Sequence, residues 1–179
     1  MLAVTVPAWV TVLRRLAGRL PDDDLAALRS TLGAGEVDDL ERSLLFALAD
    51  HRVGIDDTER ALLAAEGVRV DSPVLADLPA PVAADTRFRP EPSASTVDEK
   101  VLAATATLPT VRRVLRARRL AGDKLVYVVE LTGGSVPTAQ AALHWGLDGA
   151  LLEVVLEGED LPPYQAAARS AGVAVATVI

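Results

Sequence analysis

Cysteine is absent from this chain, which excludes disulfides and thiolate metal sites and fits a reducing compartment. Aromatic residues are scarce, with two each of Trp, Tyr and Phe. The core must therefore be built from Leu, Val, Ile and Ala, which fill space without polar handles. No apolar run reaches the roughly 18 residues that a membrane span requires. At the N-terminus, Arg14, Arg15 and Arg19 follow the apolar stretch, the reverse of the order expected of a secretory signal. Val10, Leu13, Leu16 and Leu20 recur there at helical spacing, so an amphipathic first helix is the plainer reading. A soluble, cytoplasmic protein is expected.

What is present suffices for a core: half of the 179 residues are hydrophobic. The net charge of −7 argues against non-specific binding to nucleic acid, because the phosphate backbone would repel the surface. The charge is uneven. Between Leu20 and Gly67 stand twelve acids and four arginines; between Arg112 and Lys124, six basic residues and one acid.

One phrase occurs twice. VDDLERSLLFA, from Val37 to Ala47, returns as IDDTERALLAA, from Ile55 to Ala65, with seven of eleven positions identical. Each Asp pair supplies a helix N-cap and a favourable first-turn charge. Asp38 with Glu41, and Asp56 with Glu59, have the spacing of a capping box. Leu44 and Leu45, like Leu62 and Leu63, then point into a shared core. Gly54 lies between the copies, so a hairpin of two similar helices ending near Gly54 and Gly67 is expected. Two copies are too few for a solenoid. An earlier helix, PDDDLAALRSTLG, starts with acids and closes at Gly33.

From Asp71 to Pro92 the texture changes, with prolines at 73, 79, 81, 90 and 92. The stretch reads as a linker or extended arm, with a short edge strand around Phe88. A helix follows with a capping box from Thr96 to Glu99, and another from Pro109. The last third alternates: KLVYVVEL, ALLEVVLEG and VAVATVI are strand runs, separated by SVPTAQAALHWG and LPPYQAAARSAG as helices. Continuous apolar strands with crossover helices argue for parallel pairing. The expected fold is α/β: a helical unit (1–70), a Pro-rich arm (71–95), and a small, mostly parallel βαβαβ sheet unit (96–179).

Candidate sites are few. VRRVLRARRLAGDK reads as a basic amphipathic helix, with Val111, Val114 and Leu115 buried and Arg112, Arg116 and Arg119 in an exposed row. The row suits an acidic partner, a membrane surface, a nucleic acid or the acidic helices of this chain; a solvated helix face weighs against all of them. Gly133, Gly134 and Ser135 lie between a strand and a helix, where phosphate is often cradled. The Gly-x-Gly-x-x-Gly spacing and the P-loop Lys are missing, so a tight turn with Ser135 as N-cap is the competing reading. His51 and His144 sit near helix ends without partners at metal-binding spacing, and Trp145 could share a weak pocket with His144. Glu153 and Glu157 fall on one face of a strand, where a solvated strand end outweighs a catalytic pair. No catalytic residue, cofactor or metal ligand is assigned.

The segments LPTVRRVLRARR, KLVYVVEL and ALLEVVLEGEDL, with the final helix and strand, resemble the C-terminal domain of the enhanced serine sensitivity protein (SseB) family. That resemblance implies a small α/β module without an established catalytic site, accessory to other systems. The expected function is a non-enzymatic protein-binding or adaptor role with a protein partner, self-association remaining open. An acidic immunity-type inhibitor of a toxin is one alternative. Another is a small enzyme or ligand-binding protein with its site at the strand C-termini.

Overall fold

A computed structural model describes residues 7–144, 147 and 149–177. They form eight α-helices and a five-stranded mixed sheet, and the chain divides into two compact units, Met1–Asp85 and Thr86–Ile179. The α/β class and the helical first half are as the sequence predicts.

The first unit contains α1 (Ala8–Arg15), α2 (Asp22–Ala34), α3 (Val37–Asp50), α4 (Asp57–Ala65) and the single turn α5 (Pro73–Ala76). Its core is aliphatic: Leu13, Leu16, Leu40, Leu44, Leu48, Leu63 and Leu75 are essentially fully buried. Helix α2 runs past Gly33 and closes at Gly35, which adopts the left-handed conformation with φ 78°. Part of the proline-rich arm belongs to this unit. Leu75 is buried, its carbonyl accepts from Arg60 Nη2 at 3.0 Å, and Pro79–Ala80 lies across Gly54. A Cβ at Gly54 would collide with the Pro79 oxygen and the Ala80 backbone, so only glycine fits this close approach.

The second unit begins with β1 (Phe88–Pro90), which carries the other part of the arm, followed by α6 (Thr96–Thr105). Next come β2 (Val111–Arg119), a 3₁₀ turn at Ala121–Asp123, β3 (Lys124–Leu131), α7 (Val136–Leu143), β4 (Leu151–Leu156), α8 (Pro163–Ala171) and β5 (Val173–Thr177). The capping box of α6 stands one residue earlier than its sequence suggests. Ser95 accepts from Val97 N at 3.2 Å, and Asp98 from Ser95 N at 3.0 Å.

The segment from Val111 is a strand, not a helix. It is the centre of the sheet, antiparallel to β3 on one edge and to β5 and β1 on the other. Only β3 and β4 pair in parallel, through the α7 crossover. The sheet is therefore mixed, and antiparallel in three of its four pairings, where the sequence suggested mostly parallel strands. The reason is the path after β4: α8 packs against β1, β2 and β3, and the chain returns beside β2 in the opposite direction. Leu115, Val126, Val128, Val155 and Ala168 form the apolar core between the sheet and α8.

Candidate functional site: a cleft between two helices

The arginine row is dissolved by the change from helix to strand. Arg112 is half exposed and pairs with Glu157 at 2.8 Å. Arg116 and Arg119 are only 4% and 7% exposed. Arg116 donates to Asp98 through Nη1 and to the Glu91 carbonyl through Nε at 3.0 Å. Arg119 donates to the Ala121 carbonyl at 2.8 Å and to the Tyr164 hydroxyl at 3.3 Å. Arg113 grips Glu130 with two nitrogens, at 2.5 and 3.3 Å, and Arg118 bonds Glu91 at 2.6 Å. Every arginine of β2 is thus engaged within its own unit. Arg112, Arg113, Arg116 and Arg118 meet acids scattered from Glu91 to Glu157, which are distant in sequence.

These pairs are structural. Burial pushes the Asp98 carboxyl up, but Arg116, the Ser95 N–H and the Tyr127 hydroxyl together outweigh it and hold the group below the usual Asp range. Tyr127, fully buried, donates to Asp98 at 2.6 Å, and burial followed by that carboxylate raises its pKa to about 12. The hydrogen bond from Arg118 lowers the Glu91 pKa, and the reciprocal bond raises that of Arg118. Arg116–Asp98 is a buried pair of the kind that fixes a register, whereas the Arg112–Glu157 pair is half exposed.

The glycine turn also satisfies itself. Gly134 takes φ 95°, and Ser135 caps α7 by accepting from Thr138 N at 3.4 Å and from the Thr138 hydroxyl at 2.9 Å. Nothing in this geometry distinguishes Gly133, Gly134 and Ser135 from a strand-to-helix turn. Glu153, expected at a solvated strand end, is buried and accepts from Gln165 Nε2 at 3.0 Å, because α8 lies over it. The outer edge of β4 is occupied by side chains. Gln140 donates to the Leu152 carbonyl at 2.9 Å and accepts from Val154 N at 3.2 Å, while Glu159 accepts from Leu156 N at 2.9 Å. A carboxamide bonded in this way stands in for a neighbouring strand and blocks strand addition at that edge. Trp145, suggested beside His144 as part of a pocket, lies outside the described residues.

The first unit holds an open feature that the sequence did not reveal. Between α2 and α3 runs a cleft of about 430 Å³. Its lining includes Ala27, Leu28, Thr31, Ala47 and Phe46. Leu28 and Ala47 are buried, whereas Phe46 is 71% exposed. At one end His51 Nε2 lies 2.6 Å from Asp24 Oδ2 and 3.8 Å from Asp50 Oδ2. Arg42, also in the lining, is held by Asp39 at 3.2 Å. The lining sets Asp24 and Asp50 beside Arg42 and His51, in a stretch from Pro21 to His51 that carries eight acids and two arginines. The one signal in the sequence is Phe46 itself: the second copy of the repeat has Ala64 in its place.

Among the described residues no group of three His, Asp or Glu side chains could hold a metal, and no helix is long and apolar enough to cross a membrane. Compared with known proteins, the chain matches no family model, no curated protein and no solved structure.

Proposed function

We propose that this chain is a protein-binding module of the adaptor type whose acceptor surface is the α2–α3 cleft. One observation carries the reading: Phe46, a large aromatic residue, is exposed beside an apolar trough instead of entering the aliphatic core that its helix otherwise builds. Aromatic side chains beside a partly apolar depression are where interface energy concentrates. The polar clusters of the second unit support the same reading by their saturation, since their ion pairs hold the sheet together. An accessory role is also what the resemblance of the C-terminal third to the SseB family implies.

Affinity capture from native lysate tests the proposal when the unaltered protein and Phe46→Ser are run side by side. A stoichiometric protein that is captured by the first and lost from the second supports the cleft as acceptor. A partner that both capture equally places the interface elsewhere. Equal melting temperatures of the two proteins are required for either conclusion.

A further inference from the structure

We infer that the occupant of the cleft is a basic amphipathic helix of a partner protein, with an apolar side chain seated against Phe46 and Lys or Arg residues facing Asp24 and Asp50. This rests on the cleft being the acceptor surface, and it specifies the chemistry that the surface selects.

The shape comes first. The cleft lies along two helices joined by only Gly35 and Glu36, and one wall is a helix face. A trough of this kind takes the apolar stripe of a third helix, presented at i, i+3, i+4 and i+7. Ala27, Leu28 and Ala47 in the lining offer contact to aliphatic anchors, and Phe46 supplies an aromatic side chain with two rotatable bonds and little entropy to lose.

Charge then chooses among occupants. Asp24 and Asp50 line the cleft together with Arg42 and His51. Asp24 contacts His51 and Arg42 is held by Asp39, so the excess of acid comes from Asp50 and from Asp22, Asp23 and Asp38 on the same two helices. An acidic helix would meet like charge across a short distance, an arrangement that interfaces use to reject wrong partners. A second copy of this chain is disfavoured on the same ground, because it would set one acidic face against another and carries a net charge of −7. Its most basic segment, β2, is a central strand whose arginines are already engaged. An anionic membrane would be repelled as well. A cationic helix satisfies both the apolar trough and its rim.

The test uses the full chain and a labelled synthetic helix with leucines on one face and lysines on the other. Controls are the same residues shuffled to destroy the apolar face and the same helix with glutamate in place of lysine. Fluorescence anisotropy should show saturable one-to-one binding of the lysine helix, weakening steeply as salt rises. Phe46→Ser should weaken it about tenfold or more, as loss of a central aromatic contact does. Phe46→Leu should retain most of the affinity. The double change Asp24→Asn with Asp50→Asn should weaken binding severalfold and flatten its salt dependence, with the fold checked by melting. The inference is overturned if no saturable binding occurs, if the glutamate or shuffled peptides bind as well, or if Phe46→Ser binds with unchanged affinity. A captured partner that depends on Phe46 but presents an acidic or neutral surface would overturn the inference and leave the acceptor reading intact. The opposite pattern, a lysine helix bound through Phe46 with no Phe46-dependent partner in the lysate, would support the cleft's chemistry and overturn the acceptor reading.

Discussion

The two copies of the repeat use nearly the same letters for different work. In the first, Glu36 is the N-cap position of α3 and makes no side-chain cap, leaving Asp38 and Asp39 as exposed first-turn acids. In the second, Asp56 is a true N-cap: it accepts from Glu59 N at 2.8 Å, and Glu59 accepts from Asp56 N at 3.0 Å. Glu59 is fully buried and bound by Arg19 at 2.5 Å, with Arg15 at 3.5 Å; Arg19 also donates to the Gly54 carbonyl. Its counterpart Glu41 is only partly covered. The buried leucine differs too, being Leu44, the first of its pair, in α3 and Leu63, the second of its pair, in α4. One residue is about 100° on a helix. The copies therefore present different faces inward, and position Phe46/Ala64 shows what each leaves outside. Sequence identity in a short helix start fixes a local pattern, while the neighbours, here α1 for α4 and α2 for α3, decide which face is used.

The largest break in this comparison should come from the paired glutamates. Glu59→Ala strips a buried arginine of its counter-ion, so urea denaturation should show a loss of about 3–5 kcal/mol. Glu41→Ala should stay within about 0.5 kcal/mol. Equal effects would mean that the copies are equivalent after all.

The leucines come next. Leu44→Ala and Leu63→Ala should each cost about 3 kcal/mol, and Leu45→Ala and Leu62→Ala clearly less, because these are only partly buried. A larger loss at Leu62 than at Leu63 would contradict the rotation between the copies.

Smaller still is the cap. Asp56→Ala should cost about 1 kcal/mol, while Asp38→Ala should stay near zero, since Asp38 caps nothing. Burial raises the Asp56 carboxyl, but the Glu59 N–H and Arg15 outweigh it and hold the folded pKa below the usual Asp range. A lowered carboxylate contributes stability that is complete above its unfolded pKa and is lost as pH falls through the folded value. Stability followed by acid titration should therefore decline less below about pH 4 in Asp56→Asn than in the unaltered protein. An identical acid limb in the two proteins would mean that the Asp56 carboxylate adds nothing to the cap.

Much of the fold was legible. KLVYVVEL coincides with β3, and the flanking runs of the last third correspond to β4, α8 and β5, because apolar runs of five to eight residues between glycines and prolines have few alternatives. The segment VRRVLRARR was misread for a physical reason. Val111, Val114 and Leu115 fit a helical stripe, and arginine is a good helix former. As a central strand it is covered on both faces, so the alternation that marks a half-buried strand is missing, and its arginines enter the interior through ion pairs with acids far away in sequence. The cleft was hidden for a different reason: the stripe Leu40, Leu44, Ala47 and Leu48 leaves Phe46 off the inward face, but no local pattern says that α2 lies beside it to form a trough.

The contrast between the copies and the acceptor role of the cleft meet in one measurement, a titration of the isotopically labelled chain with the lysine–leucine helix, followed by backbone amide shifts. Ser43, Phe46 and Ala47 in the first copy should move together with Ala27 and Thr31 of α2, while the equivalent Ala61, Ala64 and Ala65 stay still. Shifts of equal size in both copies, or shifts centred on the arginines of β2, would contradict the cleft as the acceptor.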